Sequence, residues 1–245
     1  MSLSDTCLAA TITTEPQKMP FRATEENQSR MEKWIKEFYM ASVFNTCEHQ
    51  ELQKMAGPPL KVKFHHDVEP VAVRVPATVP HHWKMKVKAG VDRNINLGII
   101  ETVLVGTPMT WCLRMVVAAK HDGSSRQTVD LQEVNKATMR ETHHTPFSHD
   151  LVVGIPAKQY KTVLDCWNGY HSLKVTEDSR DAMTFLTEWG QFRYRRAPQG
   201  FHASGDGYTR RMDEIVTDVV DYKKCINDTI LYKPDQEQIF WHTMK

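Results

Sequence analysis

Long hydrophobic runs are missing from this 245-residue chain. No stretch of about 18 apolar residues occurs, so no membrane-spanning helix is expected. A net charge is missing too: Lys and Arg total 31, Asp and Glu 30. Any basic surface for a polyanion must therefore be local rather than global. Cysteine is sparse, and Cys7, Cys47, Cys112, Cys166 and Cys225 never stand at CxxC spacing. Their odd number suits reduced thiols inside a cell better than a disulfide framework. The first residues, Met1 to Thr14, lack a basic start followed by an apolar stretch. No secretory signal is expected, and the implied location is intracellular, cytoplasmic or nuclear. Without such a signal, the glycosylation patterns at Asn27 and Asn227 are not expected to be used. No Gly-Lys-Ser/Thr follows the glycines at 200, 205 and 207, which argues against a P-loop. No HExxH occurs, and the histidine pairs at 65–66, 81–82 and 143–144 have no cysteine at ligand spacing. They are read as solvated or packed rather than zinc-binding. Internal repeats and an Asp-Thr-Gly or Asp-Ser-Gly protease motif are also absent.

What is present is a chain that is 40% hydrophobic, enough for one large domain or two small ones. Residues 1–21 show no periodicity and read as a linker. Thr24 could cap a helix whose Met31, Trp34, Ile35 and Phe38 recur at i, i+3, i+4 and i+7. Gly57-Pro58-Pro59 breaks the chain, giving a boundary between an N-terminal segment, 1–56, and a main domain, 57–245. Val71 to Val75 alternates weakly, as a strand would, and a helix is expected from Pro80 to Leu97, stopped by Gly98.

From Ile99 the texture is β-rich. Leu113 to Ala119 and Gln127 to Leu131 flank an Asp-Gly hairpin signal at 122–123. Phe185–Thr187 and Phe192–Tyr194 flank another hairpin at Trp189-Gly190. A helix is expected over Ser204 to Val219, with Tyr208, Met212, Ile215, Val216 and Val219 on one face. Lys224-Cys225-Ile226 and Thr229 to Tyr232 then flank Asn227-Asp228, read as a two-residue turn. Hairpins alongside segregated helices imply an α+β fold.

Three features carry chemistry. Asp165 closes a strand and is followed by Trp167, Gly169 and Tyr170. Arg195-Arg196-Ala197-Pro198-Gln199-Gly200 is a basic approach to a turn that leads into a helix. Asp228 stands at the last hairpin. A strand-end carboxylate and a hairpin carboxylate can converge on Mg²⁺, which takes oxygen ligands. Spacing alone leaves the plainer reading standing: Asp is a favoured turn residue. Trp167 reads as core at least as well as a stacking platform. Arg193, Arg195 and Arg196 divide evenly between phosphate contacts and a solvated strand face. Asp206 and Asp213 read as surface or helix-end charges.

The order of these motifs adds weight. Lys120-His121-Asp122-Gly123-Ser124-Ser125-Arg126, Thr128-Val129-Asp130-Leu131 and Asn135-Lys136 come first. Thr162 to Ser172, Arg196 to Phe201, Ala203 to Arg211 and Lys224 to Thr229 follow. This series resembles the reverse transcriptase of gypsy-like LTR retrotransposon Pol polyproteins, from about Phe21 onward. The resemblance implies a right-hand polymerase with fingers and a palm whose antiparallel sheet is backed by helices. It implies RNA-directed DNA synthesis with two Mg²⁺ ions, deoxynucleoside triphosphates and a primed RNA or DNA template. Asp165 matches the aspartate that binds both ions, and Asp228 the second aspartate of the hairpin. Tyr170 matches the aromatic under the sugar. Lys120 and Arg126 match the basic residues that hold the triphosphate, and Gln199 and Gly200 match the turn beside nucleotide and template.

Two departures from the family pattern stand out. Asn227 replaces the first aspartate of the hairpin pair with a neutral amide. The chain ends at Lys245, before the family's remaining palm strands, thumb and RNase H. The expectation is a folded but weakly active or inactive polymerase fragment. The rival expectation is a relic that at most binds nucleic acid. The sequence sets no oligomeric state.

Overall fold

A computed structural model of the chain describes residues 14–45, 47–121, 123 and 125–244. The linker reading of residues 1–21 and the tip of the Asp-Gly hairpin fall largely or partly outside them. In chain order the helices are α1 (Gln28–Phe38), α2 (Lys84–Asn96), α3 (Gln132–Ala137), α4 (Ser148–Val153), α5 (His202–Ile215) and α6 (Gln236–Met244). The strands are β1 (Ile100–Thr102), β2 (Leu113–Ala119), β3 (Ser125–Val129), β4 (Tyr160–Asp165), β5 (Thr184–Thr187), β6 (Gly190–Tyr194), β7 (Tyr222–Cys225) and β8 (Asp228–Lys233). They form two compact units, each assembled from separated segments.

One unit comprises residues 1–51, 145–167 and 215–245. Its sheet is antiparallel, in the order β4-β8-β7. Thr229 and Leu231 point to the buried face, while Val163, Asp165 and Asp228 lie on the exposed one. This is the period-2 alternation of a sheet covered on one side. Helix α6 packs on β8 and β4, and α4 packs on β7. Met31, Trp34, Ile35 and Phe38 of α1 surround Tyr39, Phe240 and Met244, as the apolar periodicity predicts. Thr24 makes no side-chain cap; a single 3₁₀ turn, Glu25–Asn27, intervenes before α1.

The other unit comprises residues 52–144 and 168–214. Its five-stranded sheet runs β1-β6-β5-β2-β3. The β2/β5 pair is parallel and the other pairs antiparallel, so this sheet is mixed. Helix α2 and the stop at Gly98 (φ +64°) fall where the sequence places them. Val71–Val75 does not become a strand. It makes one bridge, Ala72 to Cys112, because Pro70 and Pro76 bracket it and carry no N–H for a longer ladder. Helix α5 ends at Ile215, short of the expected Val219, and of the expected face Tyr208 alone is fully buried. Ser204, Asp206, Gly207 and Arg211 are buried with it, whereas Ile215 is 57% exposed.

Cys112, Cys166 and Cys225 are free thiols. Cys47 is disulfide-bonded, against the expectation of reduced thiols throughout. No helix among the described residues is long and apolar enough to cross a membrane.

Candidate metal centre and nucleotide-contact residues

The candidate metal centre lies at one end of the three-stranded sheet. Asp165, the last residue of β4, is the Cα partner of Asp228, the first residue of β8. The Cys166 amide donates to the Asn227 carbonyl (3.1 Å), one step beyond this pair. Asp165 and Asp228 therefore form a non-hydrogen-bonded pair, the kind whose Cα atoms stand about 4.5 Å apart with side chains closest. Both side chains are exposed on the same face. Like charges directly opposite each other destabilise a sheet, so the arrangement needs a compensating group.

That group is Asn227, whose Nδ2 donates to Asp165 Oδ1 at 2.6 Å. The turn before β8 is Ile226-Asn227, one residue earlier than the sequence suggests. Cys225 pairs with Asp228 across it. Ile226 takes φ +57°, uncommon for a β-branched side chain. Ladder pairing of β8 with both neighbours fixes Asp228 inside the strand and leaves Ile226 in the position that local preference would give to glycine.

The donor set can be tested against a divalent cation. Asp165 and Asp228 put two carboxylates on the same exposed face of paired strand ends, a donor type that suits Mg²⁺. Among the described residues, no group of three His, Cys, Asp or Glu side chains is placed to hold an ion.

The expected nucleotide-contact residues belong to the other unit. Lys120 follows β2 and Arg126 lies on β3 opposite Ala118; both are exposed. Tyr170 sits in a 3₁₀ turn, Gly169–Ser172, and meets Tyr208 of α5 edge-on at 5.5 Å. Gly169 is required there, because a Cβ would lie 2.8 Å from the Tyr208 ring. Gln199 and Gly200 form the exposed turn into α5, with Gly200 at φ +89°. Trp167, of the first unit, is 44% exposed, contrary to a core reading.

Sequence reasoning missed three supports of this region. The Asn135 amide donates to the Gly200 carbonyl (2.8 Å) and accepts from the His202 N–H (3.0 Å), spanning the turn. Asp206 is 3% exposed and binds Arg140 through two hydrogen bonds, 2.8 and 3.1 Å. It is not the surface charge that helix position suggested, and it holds the Arg140 guanidinium above its ordinary pKa. His171 donates through Nδ1 to the Ala197 carbonyl (3.0 Å). Burial pushes its pKa down to about 4, the Ala197 carbonyl opposes that, and the Arg196 guanidinium reinforces it. Asn135 lies inside α3, four residues past the run Gln127 to Leu131, and neither its clamp nor the buried pairings were readable from one chain.

No family model matches the chain. It is 24% identical over 199 residues to the retrovirus-related Pol polyprotein from transposon 412 of Drosophila melanogaster, covering 75% of the chain and 16% of that polyprotein. It is 23% identical over 179 residues to the Pro-Pol polyprotein of Simian foamy virus type 1, covering 71% of the chain and 16% of the relative. The chain thus spans about a sixth of the length of these relatives. Among solved structures, foamy viral protease-reverse transcriptase in complex with dsDNA superposes with a TM-score of 0.77 at 16% identity. The superposition covers 97% of this chain and 49% of that one.

Proposed function

We propose, from this kinship with the reverse-transcriptase segment of retroelement Pol polyproteins, that the chain is a degenerate RNA-directed DNA polymerase fragment. Residues 57–245 would form fingers and part of a palm of the gypsy-like kind, preceded by a linker and amphipathic helix over residues 1–56. The substrates would be deoxynucleoside triphosphates and a primed RNA or DNA template. The observation that carries this reading is the close pairing of Asp165 with Asp228 beside the Asn227 turn.

Asp165 and Asp228 would hold magnesium. Bound there, the ion would supply positive charge to the phosphate oxygens during nucleotidyl transfer. Arg126 would bind phosphate through its planar fork, with Lys120 as a point charge beside it in sequence. Tyr170, held edge-on by Tyr208, would support the sugar, and the Gln199-Gly200 turn would approach nucleotide and template.

Asn227 weakens the centre in two ways. It offers a neutral oxygen where an anionic one suits the cation, and its Nδ2 engages an Asp165 oxygen that a cation would use. Each 1.4 kcal/mol lost from transition-state stabilisation slows the reaction about tenfold. This contact also favours a second reading: a chain that binds nucleic acid and no longer catalyses. Primer extension with Mg²⁺ and then Mn²⁺ separates the two. Activity that rises in Asn227→Asp supports the degenerate polymerase. Extension that stays absent in both proteins while primer-template binding persists supports the binder.

A further inference from the structure

The sequence left Arg193, Arg195 and Arg196 undecided between phosphate contacts and a solvated face. The structure places Arg193 and its i+2 neighbour Arg195 around one half-buried carboxylate, Glu101 of β1. Arg193 Nε lies 2.6 Å from Glu101 Oε1, and Arg195 Nε and Arg180 Nη1 lie 3.4 and 3.5 Å from Oε2. Arg193 also reaches Asp181 at 2.6 Å. Three guanidinium groups thus meet two carboxylates, and Arg193 takes the short contact to each. Arg195 and Arg180 are left with one long contact apiece among the described ion pairs.

Donors remain unspent in the cluster. Arg180 Nε is buried without a hydrogen-bond partner. So is the hydroxyl of Thr184, the fully buried cross-strand partner of Arg193. Arg195 is 48% exposed and lies beside Gly98. A planar fork with free N–H groups, excess positive charge and an open side matches a phosphate oxygen pair.

We propose that the Arg180–Arg193–Arg195 cluster around Glu101 is a docking point for a phosphodiester of the nucleic-acid backbone, with Arg195 making the direct contact. The inference rests on the nucleic-acid reading above and adds a site to it. Glu101 is the internal competitor: it holds the guanidiniums in place and occupies part of their charge.

Equilibrium binding of a fluorescent primer-template DNA to the full chain, across a series of NaCl concentrations, tests this. Thermal melts of each variant run alongside. Arg195→Ala is expected to weaken binding several-fold and to reduce the salt slope by about 1, the value for one phosphate contact. Glu101→Gln is expected to tighten binding several-fold at low salt. A salt-dependent natural chain whose slope Arg195→Ala leaves unchanged overturns this inference alone. So does a Glu101→Gln chain that melts as the natural one does yet binds no more tightly. A natural chain with no salt-dependent affinity overturns both this inference and the nucleic-acid reading.

Discussion

Asn227 donates its amide to Asp165 at 2.6 Å, standing beside a carboxylate that already faces Asp228 across the strand pair. The amide therefore does part of the work of a counter-ion. Replacing it with a third carboxylate removes that neutralising contact and adds a like charge.

Asn227→Asp should consequently make stability depend on divalent cations. Its melting temperature should fall below that of the natural chain in EDTA and recover as Mg²⁺ is added. The natural chain should respond much less. Melting curves in EDTA and in millimolar Mg²⁺ check this, and equal responses in the two proteins would sink the counter-ion argument.

Gly169→Ala should destabilise the unit that carries Tyr170. The new Cβ would meet the ring of Tyr208 at 2.8 Å, and Tyr208 is 1% exposed, with little room to yield. Overpacking of this kind costs about 1–3 kcal/mol. Denaturant unfolding should show a midpoint shift of that size. An unshifted midpoint would mean that the turn moves freely.

Asn135→Ala should loosen the Gly200 turn, because both amide contacts vanish together. Losing them should cost about 1–3 kcal/mol in total. Asn135→Asp keeps the acceptor for the His202 N–H and loses the donor to Gly200, so its effect should be smaller. Amide hydrogen exchange at His202 offers a local readout: faster in Asn135→Ala, nearly unchanged in Asn135→Asp.

His171 predicts an acid-side loss of stability. Its folded-state pKa is depressed to about 4 from 6.5, chiefly by burial. Between those values the unfolded chain binds a proton that the folded chain does not. This contribution is fully present above about pH 6.5 and is lost as the pH falls toward 4, with a slope of at most about 1.4 kcal/mol per pH unit. His171→Gln should flatten the pH dependence in that window. Identical profiles for the two proteins would show that His171 does not govern it.

Much of the centre was readable before any coordinates. Strand β4 ending at Asp165 and the final hairpin follow from β-prone runs punctuated by Asn and Asp. The turn's register was not readable. Asn-Asp is the better turn pair on local preference, yet pairing of β8 with both β4 and β7 holds Asp228 in the strand and pushes Ile226 into positive φ. Tertiary pairing overrides local preference there. Helix α5 misled for a related reason. Its hydrophobic stripe pointed to Ile215, but Gly207 leaves room for the side chains of Leu60 and Leu173, and Arg140 supplies the charge that lets Asp206 be buried. Neither partner can be inferred from the helix's own residues. The weak strand at 71–75 failed because alternation ignores the missing proline donors on either side of it.

On the reading proposed above, Asp165 and Asp228 together make a divalent-cation site that Asn227 weakens. Mn²⁺ titration followed by electron paramagnetic resonance of the free ion measures this without requiring catalysis. Binding should be weak and saturable in the natural chain, about tenfold or more tighter in Asn227→Asp, and lost when Asp165→Asn is added to that variant. Binding that ignores Asn227→Asp, or that survives without the Asp165 carboxylate, would contradict it.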